Sequence, residues 1–381
     1  MTSLLDKMAR RREELARGGL LRQRRCFAAA PGRERLLHPV AQAQATGKPL
    51  LDFAANDYLG LARHPKVISA LAKGAEIYGC GSGASPLVSG YSEAHLKLEQ
   101  GLCRALGAEA ALLFSCGFAA NTALMKTLFS AEDTVIADKL VHASMIDGLR
   151  DSKAKIRRFA HNDMAAATTL LAWHPGSAVL TETVFSMDGD RAPLGKLSHL
   201  CQEHGSPLIL DDAHGFGLFE SSSLPVFARL VTFGKALGGQ GAAIVGSQEL
   251  IDYLVANARE YIYSTALSPA CCMGVLEALE LIQQEPLLER LNANIALFRR
   301  SCQVAGISLM PSESPIQPLL VGESDRCMAL AARLLERGFL VGAIRPPTVP
   351  KGSARLRITL SAEHREQDIL ALASALAELM A

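Results

Sequence analysis

The hydrophobic pattern changes character twice along the chain. Through the middle, short apolar runs stand at residues 111–114, 134–137, 178–181, 207–210, 229–232 and 242–246, with stretches of helical period between them. The runs are continuous instead of alternating, as strands buried on both faces should be. Their spacing of roughly 20–30 residues leaves room for helical crossovers. This predicts an α/β domain over about residues 47–270, a mostly parallel sheet flanked by helices. Residues 1–46 read as a helical segment followed by a loop through Pro31, Gly32 and Gly47. Beyond the sheet, 269–304 reads as one long helix, followed by strands at 316–321 and 356–360, a Pro-rich stretch at 345–350 and a closing helix. Residues 271–381 are expected to form a smaller α+β C-terminal domain.

Composition narrows the class of protein. Of 381 residues, 49% are hydrophobic and 20% charged, which supports a large core and excludes a disordered chain. Lys and Arg total 39 against 38 Asp and Glu, so no basic footprint for nucleic acid or an anionic membrane exists. No apolar run is long enough to span a bilayer. Nine cysteines without a C-x-x-C pair suit a reducing compartment, so the cytoplasm is expected and no metal is. Seven arginines in the first 25 residues imitate a mitochondrial leader, but Asp6, Glu13 and Glu14 interrupt them and favour an exposed helix.

Open parallel sheets bind ligands outside the carboxyl ends of their strands, so the residues that end the apolar runs are the candidates for chemistry. The 207–210 run leads into Asp211-Asp212-Ala213-His214-Gly215. Such a strand can deliver an acid and a histidine to a crevice; equally, Asp211 can cap a turn and His214 face solvent. The 229–232 run leads into Phe233-Gly234-Lys235, where a partly desolvated lysine has its amine available as a nucleophile. A surface lysine in a Gly-rich turn is the plainer alternative. Asp211, 24 residues upstream, favours the first reading. Pyridoxal 5'-phosphate (PLP) needs both a lysine for its aldehyde and an acid facing its ring nitrogen. The 111–114 run leads through Ser115-Cys116-Gly117-Phe118 into a helix, a junction that suits a phosphate or simply an N-cap at Ser115. The glycines of Gly79-Cys80-Gly81-Ser82-Gly83 follow a helical pattern, not a strand. A close backbone approach or a subunit contact is expected there, not a nucleotide site.

Taken together, SGYSEAH, SCGFAAN, VHASMIDG, TETVFSMDGD, LDDAHGFG, VTFGKALGG and AIRPPTVPKGSARLRITL resemble the α-oxoamine synthases from about residue 8 to the end. These are PLP enzymes of the aspartate-aminotransferase fold. The resemblance implies that Lys235 holds the cofactor's aldehyde and moves the substrate α-proton. It sets Asp211 against the ring nitrogen, His214 on the phenolic oxygen and His142 over the ring face. It gives the phosphate to Gly117, Phe118 and Thr232, and puts Ser186 near the cofactor's oxygen. Ser264 and Thr265 would reach the phosphate of a second subunit, hence a homodimer. Arg357, with Arg355 as a rival, would bind the amino-acid carboxylate, which Asn56 would help to orient. Arg22 and Thr348 would lie by the acyl group.

Within that family, the implied reaction condenses L-alanine with a pimeloyl thioester, on coenzyme A or an acyl carrier protein. It releases carbon dioxide and yields 8-amino-7-oxononanoate in biotin biosynthesis. A member that joins glycine to an acyl-CoA, an aminotransferase and a non-catalytic scaffold subunit are the rivals; the presence of Lys235 speaks against the last. Two departures from the family pattern stand out. Pro86 occupies a stretch where many relatives carry Arg. The connection from His214 to Lys235 is shorter than in most, with Phe216 where a small residue is common.

Overall fold

A computed structural model describes residues 3–18, 20–22, 24–29, 34–38 and 49–380. The chain begins with α1 (Leu4–Arg17), β1 (Cys26–Ala29), β2 (Glu34–His38) and β3 (Leu50–Asp52), then α2 (Pro65–Tyr78) and α3 (Glu93–Leu106). Strands and helices then alternate: β4 (Ala110–Phe114), α4 (Gly117–Leu128), β5 (Thr134–Asp138), α5 (Ala143–Ser152), β6 (Lys155–Phe159), α6 (Met164–Trp173), β7 (Ala178–Glu182) and α7 (Leu194–Glu203). Next come β8 (Leu208–Asp211), β9 (Ala228–Thr232), β10 (Ala242–Gly246), α8 (Gln248–Asn257), α9 (Arg259–Ile262), α10 (Pro269–Gln284) and α11 (Leu287–Val304). The chain closes with β11 (Ile316–Gly322), α12 (Ser324–Glu336), β12 (Phe339–Leu340), β13 (Gly342–Ile344), β14 (Ala354–Thr359) and α13 (Glu366–Met380).

Two compact units result: Met1–Ala55 with Leu291–Ala381, and Asn56–Arg290. In the second, seven strands form one sheet in the order β4-β10-β9-β8-β7-β5-β6. Only β10 runs antiparallel to its neighbours; β9, β8, β7, β5 and β6 are parallel. Strands β4, β7 and β8 are buried at every residue, which explains their unbroken apolar runs. Edge strand β6 differs. Its sequence KIRRF exposes Lys155, Arg157 and Arg158 and buries only Phe159, so no apolar run announces it.

In the other unit, β1 and β2 form an antiparallel pair, β2 pairs with β3, and β3 pairs in parallel with β12. A second sheet has the order β11-β14-β13. The loop expected after α1 is thus partly strand, because these short segments satisfy their backbone groups by pairing with one another. The β3–β12 pairing also groups residues up to Ala55 with the end of the chain. Pro31, Gly32, Gly47 and the expected boundary at 46/47 lie outside the described residues. The single helix expected over 269–304 is instead two. Glu285 is extended ahead of Pro286, which disfavours helical backbone before it and lacks an N–H of its own. Helix α1 starts on a capping box between Ser3 and Asp6 and buries none of its residues, as the charge pattern predicts. No described helix is long and apolar enough to cross a membrane.

Candidate active site

A cavity of about 340 Å³ in the Asn56–Arg290 unit is lined by residues at or just past the carboxyl ends of β5, β7, β8 and β9. Parallel register puts Asp211 of β8 beside Glu182 of β7 and Leu230 of β9. Asp211 Oδ2 accepts a hydrogen bond from Asn121 Nδ2 at 2.7 Å, and Oδ1 accepts from the Ala213 N–H at 3.0 Å. Asn121 Nδ2 also donates to Ser144 Oγ at 3.0 Å, and that hydroxyl lies 2.7 Å from His142 Nδ1. The link needs α4 and α5 to lie close. Gly148 allows this, since a Cβ there would come within 2.7 Å of Met125 Cβ. One polar chain therefore ties His142, the N-cap of α5, to Asp211. Partial desolvation lowers the His142 pKa; Asp211 opposes that shift and Lys235 adds to it.

Asp212, next in the chain, serves a different purpose. Its Oδ2 accepts from Arg229 Nη1 at 2.8 Å and from Ser221 Oγ at 3.1 Å, while Arg229 Nη2 donates to the Ser221 carbonyl at 2.6 Å. All three residues are buried. This network fastens the connection between His214 and Lys235.

Lys235 is half-buried in the turn 233–241 that joins the antiparallel strands β9 and β10. Its carbonyl accepts from the Gly238 N–H at 3.0 Å. Gly238 has φ +62°, and a Cβ there would collide with the backbone of Leu61 and Ala62, so only glycine lets this turn lie where it does. His214 is buried, with Nδ1 2.6 Å from Tyr58 Oη; the same phenolic oxygen is 3.2 Å from Asn56 Oδ1.

At the other wall, α4 begins at Gly117. Its N-cap is Cys116 rather than Ser115, and no side chain caps it. The first-turn N–H groups of Gly117 and Phe118 have no partner within the helix, which is an anion-binding arrangement. Thr232 Oγ1 is buried with no hydrogen-bond partner among the described residues, and a Cβ on Gly117 would come within 2.9 Å of Thr232 Cγ2. An orphaned hydroxyl next to an uncapped helix start, with Asp211 and Lys235 lining the same cavity, fits a phosphorylated pyridine aldehyde. The residues present suit PLP.

Lys235, Asp211, His214, His142, Gly117, Phe118, Thr232 and Asn56 thus share one cavity. Ser186, half-buried after Phe185, is not part of its lining, and Ser264 and Thr265 are exposed outside it. Of the two uses expected for the 79–83 glycines, a close approach or a subunit contact, no close approach is made among the described residues. Cβ atoms on Gly79, Gly81 and Gly83 would meet nothing within 4 Å, and what Gly79 and Gly83 use is positive φ. Gly90 makes the close approach instead, against the Ala84 carbonyl.

In the Met1–Ala55 and Leu291–Ala381 unit, Arg355 and Arg357 are both buried on one face of β14. Arg357 Nη1 donates to Thr359 Oγ1 at 3.1 Å, and Arg355 Nε to the Ser353 carbonyl at 3.1 Å. Arg22 Nη2 donates to Thr348 Oγ1 at 3.2 Å, so the two residues expected near an acyl group do meet.

Asn121, Ser144, Glu182 and Tyr58 escaped the sequence reading. Glu182, 3% exposed, lines the cavity; burial first and then Asp211 push its pKa well above the carboxylate range, against the pull of Lys235. It could have been found by the rule that found Asp211, since it ends its own apolar run. Tyr58, fully buried, looks like a core aromatic in sequence.

The chain matches the family model described as aminotransferase class I and II over residues 48–376. The 8-amino-7-oxononanoate synthase of Aeromonas salmonicida is 47% identical over 345 residues, covering 87% of this chain and 86% of that protein. The enzyme of the same name from Methylobacillus flagellatus is 42% identical over 97% of this chain and 94% of its own. Among solved structures, Sphingomonas wittichii serine palmitoyltransferase has a TM-score of 0.90 at 26% identity, over 99% of this chain and 98% of that one. A structure of SPT with PLP reaches 0.91 at 26% identity with the same coverage. The 8-amino-7-oxononanoate synthase of Francisella tularensis has a TM-score of 0.76 at 30% identity, over 86% of this chain and 97% of its own. With these likenesses added to the cavity, the chain belongs to the aminotransferase class I and II family and, within it, among the 8-amino-7-oxononanoate synthases.

Proposed function

We propose that the protein catalyses the decarboxylative condensation of L-alanine with a pimeloyl thioester, on coenzyme A or an acyl carrier protein. The products are 8-amino-7-oxononanoate, carbon dioxide and the free thiol, a step of biotin biosynthesis. The observation that carries this reading is the convergence of Lys235, Asp211, His214 and His142 on one cavity in a chain of this family. The cofactor is PLP, which supplies an aldehyde for an amine and a ring that accepts the electron pair left by proton removal.

The chain's own residues supply the rest. Asp211, fixed by Asn121 and the Ala213 N–H, keeps a proton on the ring nitrogen. His214 holds the phenolic oxygen and His142 covers a ring face. Gly117 and Phe118 offer N–H groups and Thr232 its hydroxyl to the phosphate. Lys235 Nζ takes the α-proton of alanine. Family resemblance gives the alanine carboxylate to Arg357 and Asn56, the acyl group to Arg22 and Thr348, and contact with the cofactor's oxygen to Ser186.

A homodimer is part of the same proposal. Ser264 and Thr265 are exposed and available to a second subunit, and Ile68, Ile77, Leu87 and Val88 leave large apolar side chains uncovered in the single chain. The proposed compartment is the cytoplasm, in keeping with nine free thiols.

The test mixes purified protein with PLP, L-alanine and pimeloyl-CoA or the pimeloyl carrier protein. Carbon dioxide should be released by the unmodified protein and not by Lys235→Ala. Turnover by Lys235→Ala would overturn the mechanism. Faster turnover of glycine with acetyl-CoA would overturn the substrate assignment alone.

A further inference from the structure

Tyr58 lies outside every role assigned so far, yet its hydroxyl makes a short polar contact in the active-site wall. Tyr58 Oη is 2.6 Å from His214 Nδ1, and both residues are buried. We infer that Tyr58 is a positioning residue: it donates its phenolic proton to His214 Nδ1 and so holds the imidazole as the Nε2–H tautomer. The inference rests on the proposed function in one respect, namely that His214 faces the phenolic oxygen of the cofactor.

The argument is one of proton counting. A neutral imidazole carries one N–H, and its other nitrogen must accept. To bind a phenolic oxygen that carries negative charge, His214 must donate from the nitrogen on that side. It can do so as a neutral ring only if Nδ1 accepts. A phenol has a single proton, and the acceptors within reach of Tyr58 Oη include His214 Nδ1 at 2.6 Å and Asn56 Oδ1 at 3.2 Å. The 2.6 Å contact is made with either tautomer; giving the proton to His214 Nδ1 is the arrangement that leaves Nε2–H as the donor toward the cofactor's phenolic oxygen. A buried Nδ1 without that donor would leave the ring free to choose its tautomer, and the wrong choice would set two acceptors face to face.

The position is also mechanically held. Tyr58 is 0% exposed, and the backbone of Leu61 and Ala62 just beyond it packs on Gly238 in the turn that carries Lys235. Tyr58, His214 and the lysine turn are therefore parts of one packed wall. Orientation set in this way acts like the outer-shell hydrogen bonds that fix metal-bound histidines, whose loss costs roughly 10–100-fold in function.

The experiment reads the tautomer directly. Holoenzyme is labelled with ¹⁵N-histidine, and the His214 signals are identified by their loss in His214→Asn. An unprotonated Nδ1 with a protonated Nε2 is expected in the unmodified protein, and a shift toward the opposite tautomer in Tyr58→Phe. The visible band of the bound cofactor is then titrated with pH. Tyr58→Phe should move its midpoint by about half a unit or more, and should add no further shift in a His214→Asn background. Phenylalanine keeps the ring, so a folded variant is expected, and the tautomer in the unmodified protein is read without any change at Tyr58. A protonated Nδ1 in the unmodified protein would overturn the inference, as would a Tyr58→Phe titration that superimposes on the original. A protein that shows no cofactor band would instead refute the proposed function, and the tautomer would still be read from the ¹⁵N signals.

Discussion

Two kinds of polar cluster stand at the carboxyl edge of the seven-stranded sheet, and they differ in how their acids are satisfied. In the first kind, each acid meets a full positive charge. Asp138 and Asp190 lie 3.0 and 2.7 Å from the two ring nitrogens of His161, and Asp212 lies 2.8 Å from Arg229. In the second, Asp211 is held by the neutral amide of Asn121 and the Ala213 N–H, and the chain runs on through Ser144 to His142. An acid with an internal counter-charge is committed to structure. An acid fixed by neutral donors keeps its charge for a cation arriving from outside. The protonated ring nitrogen of PLP is such a cation, so the contrast separates residues that serve the ligand from residues that serve the fold.

The largest effects should divide along that line. Asp211→Asn preserves shape and removes the charge, so kcat for carbon dioxide release should fall on the order of 10³-fold, while the melting temperature stays within about 4 °C. Arg229→Met should do the reverse. It leaves Asp212 buried and unpaired, and urea unfolding should show a loss of about 3–5 kcal/mol. Activity per folded molecule should stay within about tenfold. If both variants lost the same property, the division would be wrong.

A smaller effect tests the His161 cluster through pH. Burial alone would lower the His161 pKa, but Asp138 and Asp190 outweigh it and push it up to about 10. Asp188 joins His161 and Asp190 with ligand atoms within 4.8 Å of one another, yet the imidazolium is already the cation of that group. A raised pKa means that the stabilisation is complete below the unfolded value near 6.5 and is lost as pH rises through about 10. His161→Gln should cost roughly 1.5–3 kcal/mol near pH 6, and the gap from the unmodified protein should narrow toward pH 10. A gap independent of pH would show that His161 acts by packing alone.

The contrast also explains what could be read from sequence. Strands β4, β7 and β8 were legible because both faces are buried, and β4 and β8 handed over the residues at their ends, while Glu182 at the end of β7 was passed over. Gly117, Asp211, Thr232 and Lys235 follow from that rule, and the resemblance then supplied their roles. Asn121 and Ser144 were hidden, because nothing in either helix says that Gly148 brings them together. Strand β6 was hidden by its charged edge, and strands β1 and β2 by being only four and five residues long. The grouping of residues up to Ala55 with the C-terminal strands depends on β3 pairing with β12, nearly the whole chain away. Periodicity reports local burial and is blind to such long-range pairings.

Glu182 should give the smallest effect and the finest test. It is the register partner of Asp211, so two carboxyl groups lie on adjacent parallel strands about 4.8 Å apart. Two buried acids that close do not both ionise readily. Asp211 has the hydrogen-bond donors, whereas burial and the neighbouring Asp211 push Glu182 well above its ordinary range. Glu182 is then the acid of the pair displaced toward its neutral form. Glu182→Gln fixes the neutral form in the same shape, so kcat should stay within about threefold. The sign of the stability change follows from the raised pKa. The neutral form costs the folded protein nothing below about pH 4.5. Above it the unfolded chain ionises, and the unmodified protein loses ground progressively until pH passes the folded pKa. The two proteins should therefore melt alike near pH 4, with the glutamine variant gaining relative stability as pH rises to 8. A glutamine variant that lost activity as Asp211→Asn does, or lost relative stability with rising pH, would mean that Glu182 is ionised and that the cavity holds two charges for its ligand.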